Sequence, residues 1–379
     1  MLAGAGLGAA VRVLVVNAGS SSLKLTLLDA RERTLAAQEL EAPRARVEPE
    51  AIRAALDSPL GEADVVGHRI VHGGERFHEA VRIDDEVEAA MRELSELAPL
   101  HQPKSLQALD AVKAALPDVP AVACFDTAFH ATLPAAAATY ALPREWRERW
   151  PLRRYGFHGL SHAWVARRAP QLLREDAAAR RIVSCHLGGG ASLCAIADGR
   201  SLDTTMGFTP LEGLVMATRS GSVDPGMLLW LAEHERLSPA QLADALEHRS
   251  GLLGLAGTAD MREIIERASS GAQDGGRARL ALGVYVHRLR AGIAAMAAAL
   301  GGLDALVFTG GVGEHAAEIR ARTAAGLSFL GVALDHARND DAHADAEIGA
   351  DGAPARTLVI SAREDLEIAR QVRTLLSAE

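Results

Sequence analysis

Three glycine-rich segments of this chain have the residue types that hold phosphate oxygens. They span residues 17–24, 186–190 and 310–314, and each follows an apolar run rich in β-branched residues. Turns of this composition present backbone N–H groups to an anion, and a helix that begins at such a turn adds the positive end of its dipole. The pattern predicts a nucleotide-binding or phosphoryl-transfer site.

The first segment joins two predicted strands. Residues 11–16 have the composition of a buried strand, and residues 23–28 alternate between apolar and polar side chains. A P-loop instead joins a strand to a helix and contains Gly-Lys-Ser or Gly-Lys-Thr, which this segment lacks. The order of strand, turn and strand resembles the phosphate hairpin of the actin, sugar-kinase and Hsp70 superfamily. An ordinary hairpin turn is the alternative for this segment alone.

The overall composition indicates a globular protein that acts on small molecules. The chain has 379 residues, of which 49% are hydrophobic, and this length favours two domains over three. The net charge of -9 argues against a nucleic-acid surface. Three cysteines without zinc or disulfide spacing fit a reducing cytoplasm, and the charge-free stretch 291–303 is too short for a membrane span. We therefore expect a cytoplasmic protein without nucleic-acid or membrane partners.

The opening pattern of strand, glycine turn and strand recurs about 170 residues later, which suggests two related halves. Strands alternate with helical patterns along the chain, as in α/β proteins. The predicted strands of the second half are residues 182–186, 192–197, 201–205, 305–309 and 357–360, and the predicted helices of the whole chain include 86–97, 103–115, 315–325 and 365–376.

Five further strings, taken with the three turns, resemble the acetate kinase family over residues 13–369. These strings are residues 67–75, 98–101, 125–130, 154–159 and 208–213. The resemblance implies an α/β fold with two duplicated actin-like (ribonuclease H-like) domains and a cleft between them. The N-terminal domain would comprise residues 1–128 and 366–379. The C-terminal domain, residues 129–365, would carry the nucleotide-binding loops and a homodimer interface.

The resemblance also implies an activity. It is the reversible transfer of the γ-phosphoryl group of ATP to acetate, a short-chain carboxylate, by direct in-line displacement, with ADP and acetyl phosphate as products. The implied cofactor is Mg²⁺, with Mn²⁺ as a substitute. A propionate or butyrate kinase, a non-catalytic nucleotide-binding regulator and a hydrolase stay open as alternatives.

Four residues at family motifs are the implied catalytic residues: Arg69, Asp126, His158 and Arg219. A planar, permanently charged guanidinium suits both a carboxylate and a transferring phosphoryl group, although a surface ion pair is the alternative for each arginine. Asp126 follows an apolar strand, where α/β proteins place catalytic groups and where helix N-caps also occur. Because a substrate carboxylate is already ionised at neutral pH, Asp126 need not remove a proton, and we expect it to align the nucleophile. A core histidine is the alternative for His158.

The remaining implied site residues fall into three sets, and helix capping or solvated side chains are the alternatives for several of them. The metal ligands would be Asn17 and Glu364. The substrate pocket would comprise Arg69, Val71, Leu100, Phe157 and Pro210. The nucleotide would contact Lys24, His186, Leu187, Gly188, Gly189, Gly190, Asp260, Met261, Arg262, Gly311, Val312, Gly313, Glu314 and His315, although His186 also fits a structural role.

The chain departs from the family pattern mainly at the predicted nucleotide loops. Gly189 stands where the family usually has asparagine, which removes one side-chain donor to phosphate. Ala217 replaces a glycine and Ser222 an aspartate around Arg219, and His315 replaces an asparagine. Further departures are Gln102 for asparagine and Ala362-Arg363 for Thr-Asn. The expected phosphoryl donor is ATP, with GTP or pyrophosphate as alternatives.

Overall fold

The computed structural model describes residues 11–19, 22–41, 48–96, 102–173, 180–270, 275–343 and 345–378. Their contacts group into two compact units. Unit 1 comprises residues 1–131, 157–164 and 363–379, and unit 2 comprises residues 132–156 and 165–362. No helix among the described residues is long and apolar enough to cross a membrane.

Unit 1 is built on a six-stranded mixed sheet. In the sheet the strands follow the order β3-β2-β1-β4-β6-β5, with β1, β4 and β6 parallel and the other three antiparallel to their neighbours. The strands are β1 Val13–Ala18, β2 Ser22–Leu28, β3 Thr34–Glu41, β4 Val65–Ile70, β5 Val81–Arg82 and β6 Ala121–Phe125.

Helices cover this sheet because their apolar residues recur on one face. The helix Gln102–Ala115 (α3) buries Leu106, Leu109 and Val112 at helical spacing, and it packs on β1 and β4. The closing helix Glu364–Ala378 (α15) packs on β1, β4 and β6. Its Ile368 approaches the sheet so closely that a Cβ on Gly67 would lie 2.7 Å from the Ile368 side chain. The other helices of this part of the chain are α1 Pro49–Leu56 and α2 Asp85–Glu93.

Unit 2 repeats the same sheet. Its strand order is β11-β12-β10-β7-β8-β9, which is the order of unit 1 when β7 is matched to β1, β10 to β4 and β12 to β6. Strands β7, β10 and β12 are parallel. The strands are β7 Arg181–Leu187, β8 Ala191–Ala197, β9 Arg200–Thr204, β10 Ala305–Thr309, β11 Ala346–Glu347 and β12 Arg356–Val359.

The long helix Gly275–Leu300 (α11) packs on β7, β8 and β9. The remaining helices are α4 Ala135–Ala138, α5 Arg144–Arg149, α6 Gly159–Leu172, α7 Pro225–His234, α8 Pro239–His248, α9 Gly251–Ala256, α10 Met261–Ser269, α12 Gly310–His315, α13 Ala317–Ala325 and α14 His336–Asp340. The division between the two units falls inside α6.

Most predicted elements are confirmed within two or three residues, and the predicted duplication is visible in the matched sheet orders. One prediction is wrong: residues 310–314 form helix α12 directly after β10, not a turn before a helix at residue 315. Gly310 allows this abrupt change because its φ of 78° lies in the left-handed region that glycine adopts freely. Strands β3, β4, β5 and β11 were not predicted. The predicted domain bounds stay a prediction.

Candidate active site

Polar side chains of unit 1 gather at the carboxyl ends of its parallel strands. Asn17 lies near the end of β1, Arg69 near the end of β4, and Asp126 directly after β6. Glu364 begins helix α15, which packs over the same three strands. Because the ends of neighbouring parallel strands meet at one sheet edge, residues far apart in sequence come into contact there.

The centre of this cluster is a nearly buried ion pair. The Nε of Arg69 lies 3.1 Å from both carboxylate oxygens of Asp126, and its Nη2 donates to Oδ2 at 2.6 Å. Only 12% of the Arg69 side chain and 2% of the Asp126 side chain are exposed. A fork of this kind fixes the plane of the guanidinium as well as its position.

Asn17 connects this pair to Glu364. Its Oδ1 accepts a hydrogen bond from Arg69 Nη1 at 3.0 Å, and its Nδ2 donates to Glu364 Oε2 at 2.8 Å. Arg69 Nη1 also lies 3.8 Å from Glu364 Oε2. The two predicted metal ligands are therefore in contact with each other and with Arg69.

Burial and the neighbouring charges shift the pKa values of Asp126 and Arg69. Burial raises the pKa of Asp126, and the attraction of Arg69 opposes that shift. Burial lowers the pKa of Arg69, but the negative charges of Asp126 and Glu364 outweigh it, so the net pKa of Arg69 is raised. The guanidinium is thus a permanent cation held beside two carboxyl groups.

His158 adopts a strained backbone beside Asp126. Its φ of 56° is uncommon for a residue other than glycine, and such strain concentrates at functional sites. The next residue, Gly159, donates its N–H to the Asp126 carbonyl at 2.8 Å. A Cβ on Gly159 would lie 2.1 Å from that carbonyl oxygen, so only glycine permits this approach. The chain therefore places His158 next to the Asp126 segment.

Two predicted pocket residues of unit 1, Val71 and Phe157, lie beside His72. Val71 precedes His72 in the chain and is 9% exposed. The ring of the buried Phe157 packs edge-on against the ring of His72, with 5.5 Å between the ring centroids. His130 Nε2 lies 3.0 Å from the Phe157 carbonyl oxygen. Leu100 lies outside the described residues. Lys24 is exposed on β2, paired in register with Asn17.

The second glycine-rich segment forms a tight turn between β7 and β8 in unit 2. It begins after His186 and Leu187, which are the last two residues of β7, and the N–H of Gly188 donates to the carbonyl of Gly190 at 2.9 Å. The carbonyl of Gly189 accepts from the N–H of Ala217 at 3.2 Å. The turn is thereby tied to the segment that carries Arg219.

The third segment lies against β7. A Cβ on Gly310 would lie 2.8 Å from the carbonyl oxygen of Leu187. Glu314 does not point into open space: its Oε1 accepts from the N–H groups of Gly310 and Ala362, each at 3.0 Å. Glu314 thus stabilises the backbone of the loop. The rest of the segment, Gly311, Val312, Gly313 and His315, belongs to α12.

Arg219 is also held in a network in unit 2. Its Nη1 donates to the carbonyl of Pro210 at 2.9 Å, which brings a predicted pocket residue and a predicted catalytic residue together. Its Nε lies 3.3 Å from Oε2 of Glu247, a nearly buried residue of α8. Sequence reasoning missed Glu247, because a lone glutamate in a helical pattern resembles a solvated surface residue.

The segment 260–262 has the geometry of an ordinary helix start. Asp260 caps α10 by accepting from the N–H of Arg262 at 2.9 Å, and Arg262 Nη2 contacts its Oδ2 at 2.8 Å. These hydrogen bonds lower the pKa of Asp260 to about 2. Met261 is buried, whereas the Arg262 side chain is 90% exposed.

Comparison with known proteins identifies the family of this chain. Residues 47–370 match the model of the acetokinase family. An acetate kinase of Nostoc punctiforme is 51% identical over 318 residues, which cover 84% of this chain and 78% of that protein.

Two solved structures are similar along nearly the whole chain. A crystal structure of Porphyromonas gingivalis acetate kinase has a TM-score of 0.87 at 36% identity, with 97% of this chain and all of that chain covered. A propionate kinase from Francisella tularensis has a TM-score of 0.86 at 34% identity, with 95% of this chain and 98% of that chain covered. These similarities confirm the predicted resemblance, the duplicated actin-like α/β fold and the enzyme class, a phosphotransferase with a carboxyl group as acceptor. The chain therefore belongs to the acetokinase family.

Proposed function

We propose that this chain transfers the γ-phosphoryl group of ATP reversibly to acetate, giving acetyl phosphate and ADP. The observation that carries the proposal is the nearly buried Arg69–Asp126 pair, joined through Asn17 to Glu364, in a member of the acetokinase family. One acetate oxygen attacks the γ-phosphorus while the bond from that phosphorus to the bridging oxygen of ADP breaks. Since acetate is already ionised, no proton has to be removed.

Arg69 would bind the acetate carboxylate, and Asp126 would hold Arg69 in the orientation for that contact. The fork between the two side chains supports this division of roles, because it fixes the guanidinium plane. Asp126 also places a negative group where a misplaced acetate would otherwise bind. We propose that it aligns the reactants without acting as a general base.

His158 and Arg219 would stabilise the charge on the transferring phosphoryl group. The transition state spreads negative charge over the equatorial oxygens, so fixed donors and cations contribute most there. The strained backbone of His158 and the low exposure of the Arg219 side chain, 11%, support preorganised roles.

Asn17 and Glu364 would hold Mg²⁺ with the nucleotide phosphates. Their amide and carboxylate oxygens are the hard donors that Mg²⁺ prefers, and Mg²⁺ usually takes only one or two protein ligands besides phosphate oxygens and water. A site with only two protein donors is therefore sufficient for Mg²⁺. The described residues contain no cluster of three or more His, Cys, Asp or Glu side chains suited to a metal. When bound, the ion would neutralise phosphate charge.

The nucleotide would lie on the glycine-rich loops of unit 2, Gly188–Gly190 and residues 311–315, with residues 260–262 and Lys24 as further contacts. The tie between the Gly189 carbonyl and the N–H of Ala217 supports this role, since it links the phosphate loop to the Arg219 segment. ATP is the proposed donor.

Acetate is the preferred acid because Val71, Phe157 and Pro210, with Leu100, would form a small apolar pocket. An extra methylene is worth only about 1–3 kcal/mol in such a pocket. Propionate is the second candidate, favoured by the likeness to the Francisella tularensis propionate kinase structure.

We further propose a homodimer in which helix α7 contributes to the interface. This helix is strongly apolar, yet no residue of it is buried: Leu229 is 74% exposed and Trp230 54% exposed. Exposed apolar faces of this kind mark association sites. Leu229→Asp should convert a dimer to a monomer in light scattering, whereas Glu233→Gln on the same helix should not. A cytoplasmic location stays a prediction.

Hydroxylamine trapping of acyl phosphate tests the proposed reaction. ATP, GTP and pyrophosphate are each offered with acetate, propionate and butyrate. Asp126→Ala is compared with Asp118→Ala, an exposed residue before the opposite end of β6. We expect the strongest signal with ATP and acetate, lost only in Asp126→Ala. Nucleotide binding without acyl phosphate would indicate a regulator, and phosphate release without an acceptor would indicate a hydrolase.

A further inference from the structure

The buried carboxylate of Glu247 faces the proposed catalytic arginine of unit 2. Its Oε2 lies 3.3 Å from the Nε of Arg219, and the two side chains are only 7% and 11% exposed. Removing both charges from water costs several kcal/mol for each ion unless they compensate each other. An arrangement this costly needs a reason beyond the stability of the fold.

The backbone around Glu247 is joined to the Arg219 segment at several points. The Glu247 carbonyl accepts from Thr218 Oγ1 at 2.8 Å, and the carbonyl of Leu246 accepts from the N–H of Ser220 at 3.0 Å. The N–H of Ser250 donates to the Thr218 carbonyl at 2.9 Å. The residues on both sides of Arg219 are thus attached to the end of α8, which fixes the backbone of Glu247 relative to the backbone of Arg219.

Gly251 lies at the junction between the end of α8 and the Arg219 segment, where the two backbones approach closely. Gly251 has a φ of 61°, and a Cβ there would lie 2.3 Å from the Met216 carbonyl oxygen and 2.6 Å from that of Arg219. A larger residue would push the Arg219 segment away from α8. The junction is therefore packed too tightly for the Arg219 backbone to drift.

We infer that Glu247 is a positioning residue that sets the orientation of Arg219 for the transferring phosphoryl group. The inference rests on the proposed function of Arg219. Glu247 contacts Arg219 on Nε while the Pro210 carbonyl accepts from Nη1, so two points define the plane of the guanidinium. A displacement of about 1 Å in such a group can cost about 10²-fold in rate.

The kinetic test compares Glu247→Gln, Glu247→Ala and a control. Glu247→Gln keeps a side-chain oxygen but removes the charge, and we expect kcat to fall less than in Glu247→Ala, where the loss should be about 10- to 100-fold. The KM values for ATP and acetate should stay within about threefold, since Glu247 would act on the transition state. The control is Asp244→Asn, which removes an exposed ion pair with Arg249 on the same helix and should leave kcat unchanged.

A double-mutant cycle distinguishes positioning from a merely structural role. If Glu247 acts through Arg219, then Glu247→Ala should lower kcat in the wild-type background but not in the Arg219→Ala background. An equal loss in both backgrounds, or an unchanged kcat in the wild-type background, would overturn the inference.

A second double-mutant cycle tests the Arg219–Glu247 pairing by measuring stability instead of activity. The urea midpoint of the double variant should lie above the value expected from adding the two single shifts, because Glu247→Ala alone leaves the Arg219 charge buried and uncompensated. Strictly additive midpoints would contradict the pairing even in an active enzyme. A wild type that shows this coupling but makes no acyl phosphate would contradict only the proposed function.

Discussion

The two sheets of this chain have the same topology but opposite chemistry at their carboxyl edges. In unit 1 the N–H of Asp126 donates to the carbonyl of Ile70, and in unit 2 the N–H of Ile360 donates to the carbonyl of Phe308, both at 2.9 Å. Asp126 and Ile360 are thus equivalent positions. By the same register, Arg69 of β4 corresponds to Val307 of β10.

The comparison shows that the duplicated backbone creates equivalent positions in both units, whereas the side chains at those positions determine the chemistry of each unit. Unit 1 fills the equivalent edge with an ion pair, whereas unit 2 fills it with buried apolar residues. Unit 2 instead presents glycine-rich loops, whose backbone is stabilised by Glu314 and by the Gly189–Ala217 hydrogen bond. At this edge unit 1 carries the charged pair of Arg69 and Asp126, whereas the buried pair of unit 2, Arg219 with Glu247, lies elsewhere, beside the glycine-rich loops.

Replacing Asp126 should have the largest effect. Asp126→Ala removes the carboxylate that holds the Arg69 guanidinium. Arg69 then loses its fixed orientation toward the proposed acetate contact, and the negative charge beside it disappears. We expect kcat to fall by about 10³-fold or more, in the range seen when one preorganised electrostatic group is removed. Steady-state kinetics of acetyl phosphate formation measure this, and circular dichroism checks that the variant is folded. Activity within tenfold of wild type would contradict the proposed role.

The equivalent substitution in unit 2 should affect stability instead. Ile360 is fully buried, and Ile360→Ala creates a cavity that should lower the free energy of unfolding by about 2–5 kcal/mol. We expect kcat per folded molecule to stay within about threefold. Urea unfolding and active-site titration measure the two quantities. A large loss of kcat in folded Ile360→Ala would show that the chemical difference between the two edges is smaller than we infer.

The sequence predicts the strands and helices of the two units better than it predicts the side-chain contacts within each site. Strands β1 and β2 of unit 1, and β7, β8 and β9 of unit 2, follow the predicted order of strands. The resemblance to the family implied Asp126 as a site residue, and the apolar strand predicted before it is present as β6. The Arg69–Asp126 fork and the Asn17–Glu364 contact were not predicted as contacts, because they join residues 57 and 347 positions apart and depend on the register of parallel strands. Helix α12 was missed because three glycines in six residues disfavour a helix in isolation.

Acid should weaken unit 1 before unit 2. All the histidines that are buried among the described residues, His68, His72, His130 and His162, belong to unit 1. Burial lowers the pKa of His68 to about 3 and of His72 and His130 to about 4. Between pH 6.5 and 4 the unfolded chain therefore binds more protons than the folded chain, and stability falls as the pH decreases.

At pH 5 this loss should be about 2 kcal/mol for each of His68, His72 and His130. Among the described residues of unit 2 no histidine is buried, so no comparable loss is expected there at pH 5. Hydrogen exchange followed by peptide at pH 7.5 and pH 5 measures the two units separately, after correction for the intrinsic exchange rate. Equal loss of protection in both units would contradict the assignment of acid sensitivity to unit 1.

The smallest expected effect comes from restoring a side chain to the phosphate loop of unit 2. A Cβ on Gly189 would meet no described atom within 4 Å, and its φ lies outside the left-handed region, so asparagine fits without strain. If this loop holds nucleotide phosphates, Gly189→Asn adds one donor worth about 0.5–1.5 kcal/mol, and the KM for ATP should fall by about two- to tenfold. The KM for acetate should not change, because the proposed acetate pocket does not include this loop. Gly283→Asn, on helix α11, is the matched control, because a Cβ there also meets no described atom within 4 Å and its φ also lies outside the left-handed region; it should leave both KM values unchanged. A fall in the KM for acetate, or no fall for ATP, would contradict the proposed contact between the Gly188–Gly190 loop and the nucleotide phosphates.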